Sequence, residues 1–322
     1  MTFGSSSSSS SSDRDVLAAR DPRAALDGPD LLATISAAAR RLTEVRAQTI
    51  PLAMVEQAAR NRQPDAAGFV RALRDGQSPR VIAECKRRSP SRGILRPDYD
   101  AAAHARAYAA AGAAAISVLT EPTFFDGALE HLSAVRAAVG IPVLRKDFIV
   151  TRYQVFEAAM AGADAVLLIV GALTPGGLRE LLAVAAEAGL AALVEVHDED
   201  ELIVAVDAGA EIIGVNSRNL RTLAVDPDVH DRIASRLPPS AVSVAESGLR
   251  TSADLHRLER AGYSAFLVGE RLIVEPDPGA ALRTLRGDTG TPAPEGSRGA
   301  ATTTSAQRGR GDHAAPPGRS DR

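Results

Sequence analysis

Between residues 81 and 268 the apolar positions fall into eight short runs, separated by alanine-rich stretches with helical spacing. The apolar runs are 81–85, 114–119, 142–145, 165–170, 191–196, 211–215, 241–245 and 265–268. The helical stretches include 100–111, 128–139, 152–161, 176–188, 198–208 and 252–261. Eight strand–helix units of this length predict an α/β fold, a closed parallel (β/α)8 TIM barrel. A doubly wound open sheet is the alternative, but no glycine-rich nucleotide motif follows any run.

Glycine follows six of these helical stretches. Many helices end with one residue in the left-handed conformation, which costs glycine less free energy than any other residue. The predicted caps are Gly112, Gly140, Gly162, Gly189, Gly209 and Gly262. The spacing therefore predicts helix ends as well as helices.

The segment before the first run has helical patterning instead. Apolar residues recur at helical spacing from Leu32 to Val45, Asp30 can cap that helix, and further helices are expected over 52–61 and 66–74. We therefore expect a helical extension over 29–80 in front of a barrel domain over 81–287. The Ser-rich residues 1–28 and the low-complexity residues 288–322 are expected to be disordered tails.

Composition excludes several classes of protein. The 322 residues carry a net charge of −3, whereas a nucleic-acid-binding protein needs a basic face. The Arg-Gly-Arg-Gly at 308–311 could touch RNA, but the acidic residues around it favour a solvated tail. A single cysteine excludes an intramolecular disulfide framework, and the chain has no stretch of about 20 apolar residues to span a membrane. We expect a soluble cytoplasmic protein.

Only two of the 37 basic residues are lysines, Lys86 and Lys146. Arginine cannot release a proton at physiological pH, whereas lysine can. Where a chain uses arginine for nearly every positive charge, a retained lysine indicates a need for a mobile proton or a compact ammonium group. Both lysines follow predicted strands.

Other polar residues also stand at the carboxyl ends of the predicted strands, where the active site of such a barrel lies. They are Glu84, Asp147, Glu195, Asn216, Arg218, Glu246 and Ser247. Any one of them could be a solvated loop charge, but two lysines and several carboxylates on one rim favour acid–base chemistry. His197 has no second histidine at ligand spacing, so we expect no metal site.

The last two strand–helix turns, AESGLR at 245–250 and LVGERL at 267–272, place glycine just ahead of a helix. Free backbone N–H groups there can bind a phosphate, and Ser89 and Ser91 offer hydroxyl donors to the same kind of anion. Tight turn geometry alone would also explain the glycines.

These segments resemble the indole-3-glycerol-phosphate synthase family of tryptophan biosynthesis. The resemblance runs from about residue 30 to 286 and includes the N-terminal helices. It rests on IAECKRRSPSRG (82–93), VLTEPTFFDG (118–127), VLRKDFIV (143–150), ADAVLLIV (163–170), LVEVH (193–197), IIGVNSRNL (212–220), VAESGL (244–249) and FLVGERL (266–272).

The resemblance implies conversion of 1-(2-carboxyphenylamino)-1-deoxyribulose 5-phosphate to indole-3-glycerol phosphate, with release of carbon dioxide and water and without a cofactor. It implies that Lys146 is the general acid of ring closure and that Lys86 holds the substrate carboxylate. It implies that Glu195 is a base or acid of dehydration, assisted by Lys86 and Glu84, and that Asn216 orients the substrate hydroxyls and Glu195.

The same resemblance implies the groups that bind the rest of the substrate. Phosphate would be bound by Ser89, Ser247, Gly248, Gly269 and the backbone of Glu270, and the anthranilate ring by Phe125, Phe148 and Leu167. We add Arg218 to the substrate-binding residues. Position 270 departs from the family, many of whose members have serine there, so a hydroxyl contact to phosphate is lost.

Two other readings stay open from the sequence. One is a neighbouring phosphate-binding barrel such as phosphoribosylanthranilate isomerase, and the other is a scaffold without catalytic activity. The only expected ligand is a phosphorylated small molecule, with no nucleic acid and no membrane. We expect a monomer, and weak association with other enzymes of tryptophan biosynthesis is the alternative.

Overall fold

The computed structural model describes Met1 and residues 30–288, and within them a closed barrel of eight parallel strands. The barrel strands are β1 (Val81–Cys85), β4 (Ala115–Leu119), β5 (Val143–Lys146), β6 (Ala165–Ile169), β7 (Ala191–Val196), β8 (Ile212–Asn216), β9 (Val242–Glu246) and β10 (Ala265–Val268). Around the barrel they follow the order β1-β10-β9-β8-β7-β6-β5-β4. The predicted (β/α)8 barrel is confirmed.

Helices alternate with these strands. Three precede the barrel: α1 (Leu31–Thr49), α2 (Leu52–Arg60) and α3 (Ala66–Arg74). The others are α4 (Ala101–Ala110), α5 (Pro122–Phe125), α6 (Leu129–Ala138), α7 (Arg152–Ala161), α8 (Pro175–Glu187), α9 (Glu199–Asp207), α10 (Val229–Ala234), α11 (Ser252–Arg260), α12 (Glu270–Ile273) and α13 (Pro278–Arg286). Apart from Met1 and Asp288, the predicted tails lie outside the described residues.

Side-chain alternation along the strands divides the core into two layers. On β1, Val81, Ala83 and Cys85 join the cluster between strands and surrounding helices, whereas Ile82 joins the cluster inside the barrel. Glu84 has the same parity as Ile82 and therefore faces inward. This alternation decides which polar residues at the strand ends reach the interior.

The helices before the barrel contribute to its two ends. Leu32, Ile35 and Ala39 of α1 share the inner cluster with Phe148 and Ile169, at the carboxyl ends of β5 and β6. Helix α3 packs against β4, β7 and β9. Its Phe69 and Leu73 are fully buried in the same cluster as the first residues of those strands, Ala115, Ala191 and Val242. Helix α3 therefore closes the amino-terminal end of the barrel.

Several local features differ from the predictions. The prediction for Gly140 was wrong, because α6 ends at Ala138 and its C-cap, Val139, is already extended, so no left-handed residue is needed. The other five predicted caps have positive φ. The helix expected after Gly269 is α12, whereas the sequence analysis missed a small hairpin, β2 (Arg88–Ser89) and β3 (Gly93–Ile94), and gave no bounds for the helices α5, α10 and α13.

Candidate active site

A cavity of about 670 Å³ opens at the carboxyl ends of the barrel strands. The fourteen predicted site residues come from the ends of all eight barrel strands or the connections that follow them, and every one lines this cavity. They are Glu84, Lys86, Ser89, Phe125, Lys146, Phe148, Leu167, Glu195, Asn216, Arg218, Ser247, Gly248, Gly269 and Glu270. The structure thus brings together residues separated by up to 186 positions in the sequence.

Lys146 is at the centre of the charged floor. It is the last residue of β5, with the inward parity of Leu144, and its Nζ lies 3.2 Å from Oε2 of Glu195 and 3.4 Å from Oε2 of Glu246. A second pair lies on the same rim, with Lys86 Nζ 2.5 Å from Oε1 of Glu84. Each of the two lysines therefore has a carboxylate partner inside the cavity.

An ion network on the outer side of β5 holds the backbone at Lys146. The fully buried guanidinium of Arg145 binds Asp147 Oδ2 at 2.8 Å and Glu157 Oε2 at 2.9 Å. Asp147 Oδ1 accepts the backbone N–H of Phe148 at 2.8 Å. Asp147, one of the polar residues predicted at the rim, therefore fixes the chain on both sides of Lys146.

The charges on Lys146 and Glu195 stabilise each other. Burial disfavours the ammonium form of Lys146, but the carboxylates of Glu195, Glu246 and Glu84 outweigh it and hold the Lys146 pKa well above its usual range. Burial likewise works against an ionised Glu195, but Lys146 and His197 hold its pKa well below the usual range. Lys146 therefore carries a proton, and Glu195 is an ionised carboxylate that can accept one.

Glu246 has the opposite environment to Glu195. Burial, together with the nearby charges of Glu195 and Glu84, raises the pKa of Glu246 to about 8, although Lys146 opposes the shift. Among the described residues, Oε2 of Glu246 has only the 3.4 Å ion contact with Lys146 Nζ, and neither carboxyl oxygen has a hydrogen bond that meets the usual geometry. The sequence analysis placed Glu246 on the rim but not in the predicted site, although its inward parity with Val244 was a usable signal.

Glycine at two inward positions makes room for these carboxylates. A Cβ atom at Gly214 would collide with Oε1 of Glu246, and one at Gly269 would collide with Oε1 of Glu84. Any larger residue would displace the acid groups. Gly269 therefore shapes the acid–base floor as well as the turn where it was predicted to bind phosphate.

An apolar wall lies beside the charged floor. The ring centroids of Phe125 and Phe148 are 6.1 Å apart, and Leu167 of β6 lines the same cavity. Phe148 and Leu167 are buried, whereas Phe125 is partly exposed. These side chains form a slot that a flat aromatic ring can enter.

The turn after β9 has two successive residues with a left-handed backbone. Ser247 and Gly248 both have positive φ, 65° and 72°. Left-handed backbone at a non-glycine residue is strained and concentrates at functional sites. Ser89, on the hairpin after β1, is buried and lines the same cavity, with its Oγ 3.5 Å from that of Ser91.

Glu270 and Arg218 are both engaged within the protein. Oε1 of Glu270 accepts Nη1 of Arg92 at 2.7 Å, so the hairpin after β1 is linked to the turn after β10. Arg218 donates from Nη1 to the carbonyl of Leu223 at 3.1 Å. Its backbone N–H donates to Oδ1 of Asn216 at 2.9 Å. Arg218 thus holds its own loop and Asn216 in place.

Comparison with known proteins gives one family. The family model for indole-3-glycerol phosphate synthase matches residues 32–285. An indole-3-glycerol phosphate synthase from Syntrophobacter fumaroxidans is 46% identical over 260 residues, covering 80% of this chain and 98% of that protein. One from Nocardioides sp. is 57% identical over 207 residues, covering 64% of this chain and 80% of that protein.

Solved structures support the fold alone. The chain is similar to a thiamine phosphate pyrophosphorylase from Pyrococcus furiosus, with a TM-score of 0.51 and 18% identity, over 65% of this chain and 94% of that one. It is also similar to a protein named KGPDC from Streptococcus mutans, with a TM-score of 0.52 and 14% identity, over 66% of this chain and 97% of that one.

Proposed function

The chain belongs to the indole-3-glycerol phosphate synthase family, a family of carboxy-lyases in tryptophan biosynthesis, and we propose that the cavity described above performs the family's reaction. The substrate is 1-(2-carboxyphenylamino)-1-deoxyribulose 5-phosphate. A carbon–carbon bond closes the ring, and carbon dioxide and then water leave. Ring closure needs a proton donor at the carbonyl oxygen, and the loss of water needs a proton donor at the hydroxyl group and a base that removes a proton from the substrate.

The observation that carries the proposal is the position of Lys146. Its ammonium group lies on the cavity floor, 3.2 Å from a carboxylate that the same lysine keeps ionised. As the ring carbon attacks the substrate carbonyl, the carbonyl oxygen becomes basic and takes a proton from Lys146. The resulting hydroxyl group later takes a proton from the Lys86 ammonium group and leaves as water, while Glu195 takes up the proton that the substrate nitrogen releases. Acid and base thus differ in role because their surroundings shift their pKa values apart.

The other residues bind and orient the substrate. Lys86 holds the carboxylate that leaves as carbon dioxide, and Glu84 keeps the Lys86 ammonium in place at 2.5 Å. Asn216 orients the substrate hydroxyls. The anthranilate ring occupies the slot formed by Phe125, Phe148 and Leu167. Ser89, Ser247, Gly248, Gly269 and the backbone N–H of Glu270 hold the phosphate.

We further propose that the enzyme acts as a monomer in the cytoplasm. The predicted site residues line one cavity within a single barrel, so this barrel can form the site by itself. The sole cysteine, Cys85, is buried beneath α4 with its Sγ 3.7 Å from the carbonyl of Ala101. Between residues 30 and 288, the helices are too short or too polar for any of them to cross a membrane.

A direct assay tests the proposed function. The purified chain, incubated with the carboxyphenylamino-deoxyribulose phosphate, is expected to form fluorescent indole-3-glycerol phosphate together with an equal amount of carbon dioxide. The Glu195→Gln variant keeps the shape of the carboxylate but loses the base, so its kcat should fall by about a hundredfold or more. Absence of product with the folded wild type, or near-normal kcat in Glu195→Gln, would refute the assignment.

A further inference from the structure

His197 is close to the acid–base floor but outside the cavity lining. It follows β7, two residues after Glu195, and precedes α9, whose N-cap is Asp198. Its side chain is 11% exposed. Because His197 does not line the cavity but its imidazole contacts Glu195, we expect it to act on the reaction through that carboxylate.

The imidazole and Lys146 lie within ion-pair distance of opposite oxygens of the same carboxylate. His197 Nε2 lies 3.3 Å from Oε1 of Glu195, whereas Lys146 Nζ lies 3.2 Å from Oε2. The other ring nitrogen, Nδ1, lies 3.0 Å from Oε2 of Glu201. A neutral imidazole has one N–H and could donate to only one of its two carboxylate neighbours, whereas the imidazolium donates to both.

Glu201 is itself fixed in place. Its Oε2 also accepts the backbone N–H of His197 at 2.8 Å, and its own backbone N–H donates to Oδ1 of Asp198 at 2.8 Å. A Cβ atom at Gly171 would lie 2.8 Å from Oε1 of Glu201, so this glycine leaves room for the carboxylate. The histidine is therefore held on its far side by a residue whose position the fold determines.

The charges around the imidazole agree with this geometry. Burial favours the neutral ring, but Glu195 and Glu201 outweigh it and raise the pKa of His197 to about 10. The polar neighbours of Glu195 include Lys146, Asn216, Glu246 and His197. Of these, His197 and Lys146 are cations.

We propose that His197 is a positioning residue, which holds the Glu195 carboxylate from the side opposite Lys146 and is itself held by Glu201. The proposal rests on the proposed function, in which Lys146 gives up its proton during ring closure. At that moment Glu195 loses the positive charge of Lys146, and the imidazolium of His197 keeps the buried carboxylate ionised and in place for the elimination of water.

The test compares His197→Ala and His197→Gln with His256→Ala, a control at an exposed histidine on α11. We expect His197→Ala to lower kcat by about tenfold or more, with a much smaller change in KM, because Glu195 acts after the substrate has bound. The acidic limb of its kcat–pH profile should move up by about one unit or more, because Glu195 has lost a cationic neighbour. Glutamine can still donate a hydrogen bond to Glu195, so the kcat of His197→Gln should lie between that of His197→Ala and that of the wild type. The control His256→Ala should have the kcat of the wild type.

Two results would overturn the proposal. One is an unchanged kcat and acidic limb in folded His197→Ala. The other is a neutral His197 ring in the folded wild type at pH 8, seen in its ¹⁵N resonances, and this measurement needs no stable variant. If either result appears while Glu195→Gln remains inactive, the positioning role fails and the proposed function stands. Activity in Glu195→Gln would instead remove the proposed role of Glu195 itself.

Discussion

The two ends of the barrel interior bury different kinds of side chain, apolar at one end and ionisable at the other. At the amino-terminal end, the first residues of the strands are small or aliphatic, and Phe69 and Leu73 of α3 close the opening. At the carboxyl end, inward positions of the same strands hold Glu84, Lys146, Glu195 and Glu246. A buried charge costs free energy unless it is paired, so each of these groups stabilises the fold less than an apolar residue would. One end therefore supports stability and the other supports chemistry.

The largest expected effect is at the apolar end. Phe69→Ala should lower the free energy of unfolding by about 3–5 kcal/mol, because it opens a cavity in a fully buried cluster. Denaturant unfolding measures this loss. At temperatures where the variant stays folded, its kcat and KM should equal those of the wild type.

The matched change at the other end is Phe125→Ala, which should raise KM and cost less stability because this ring is partly exposed in the cavity. If Phe69→Ala changed kcat, or if Phe125→Ala destabilised the fold as strongly, the two ends would not differ in the way described.

A second prediction concerns pH. The pKa of Glu246 is raised by burial to about 8 from an ordinary value of 4.5. Between these values the folded protein keeps a proton that the unfolded chain has lost, so Glu246 makes stability fall as pH rises through this window. Glu246→Gln lacks this penalty. Its stability relative to the wild type should therefore increase from pH 5 to pH 8, by up to about 1.4 kcal/mol for each pH unit.

Urea unfolding at the two pH values measures that difference. A difference that stays constant with pH, or that is larger at pH 5, would show that Glu246 is ionised in the folded enzyme.

The smallest expected effect concerns the ion pair between Arg92 and Glu270. The pair is largely exposed, so it contributes little, but it joins two segments that line the predicted phosphate site. Glu270→Ser should raise KM about two- to fivefold without changing kcat. Arg92→Ala should do the same, and the double variant should add nothing further. A fall in KM for Glu270→Ser would show that relief of charge repulsion outweighs positioning.

Most of the barrel was predictable because its signals are local. Apolar runs bounded by helical stretches define the eight strands, and the residues at their ends follow from alternation. The hairpin at 88–94 was missed because its sequence, RSPSRGI, has no alternating apolar pattern. Gly140 was wrongly predicted because a glycine after a helix shows that a left-handed residue is possible, not that it is needed.

The parts of the site that could not be predicted depend on long-range pairing. Nothing local to position 270 indicates a partner at position 92. His197 is two residues from Glu195 in the sequence. Its second partner, Glu201, and the position of its imidazole beside the Glu195 carboxylate depend on the path of the chain into α9. The raised pKa of Glu246 depends on burial and on two carboxylates from other strands. Sequence patterns identify residue types at the rim, and tertiary contacts set their charge.

The central claim is that the carboxyl end has a lysine at position 146 because a proton must move there. Steady-state kinetics of Lys146→Arg tests it most directly, with circular dichroism to show that the variant folds. Lys86→Arg is the companion variant at the lysine proposed to bind the substrate carboxylate. Arginine keeps the positive charge, but its pKa is above about 12, so it is a poor proton donor. The account predicts that Lys146→Arg lowers kcat by at least about a hundredfold with a much smaller change in KM, whereas Lys86→Arg also weakens binding. Near-normal kcat in Lys146→Arg would contradict it, because the position would then need only a charge.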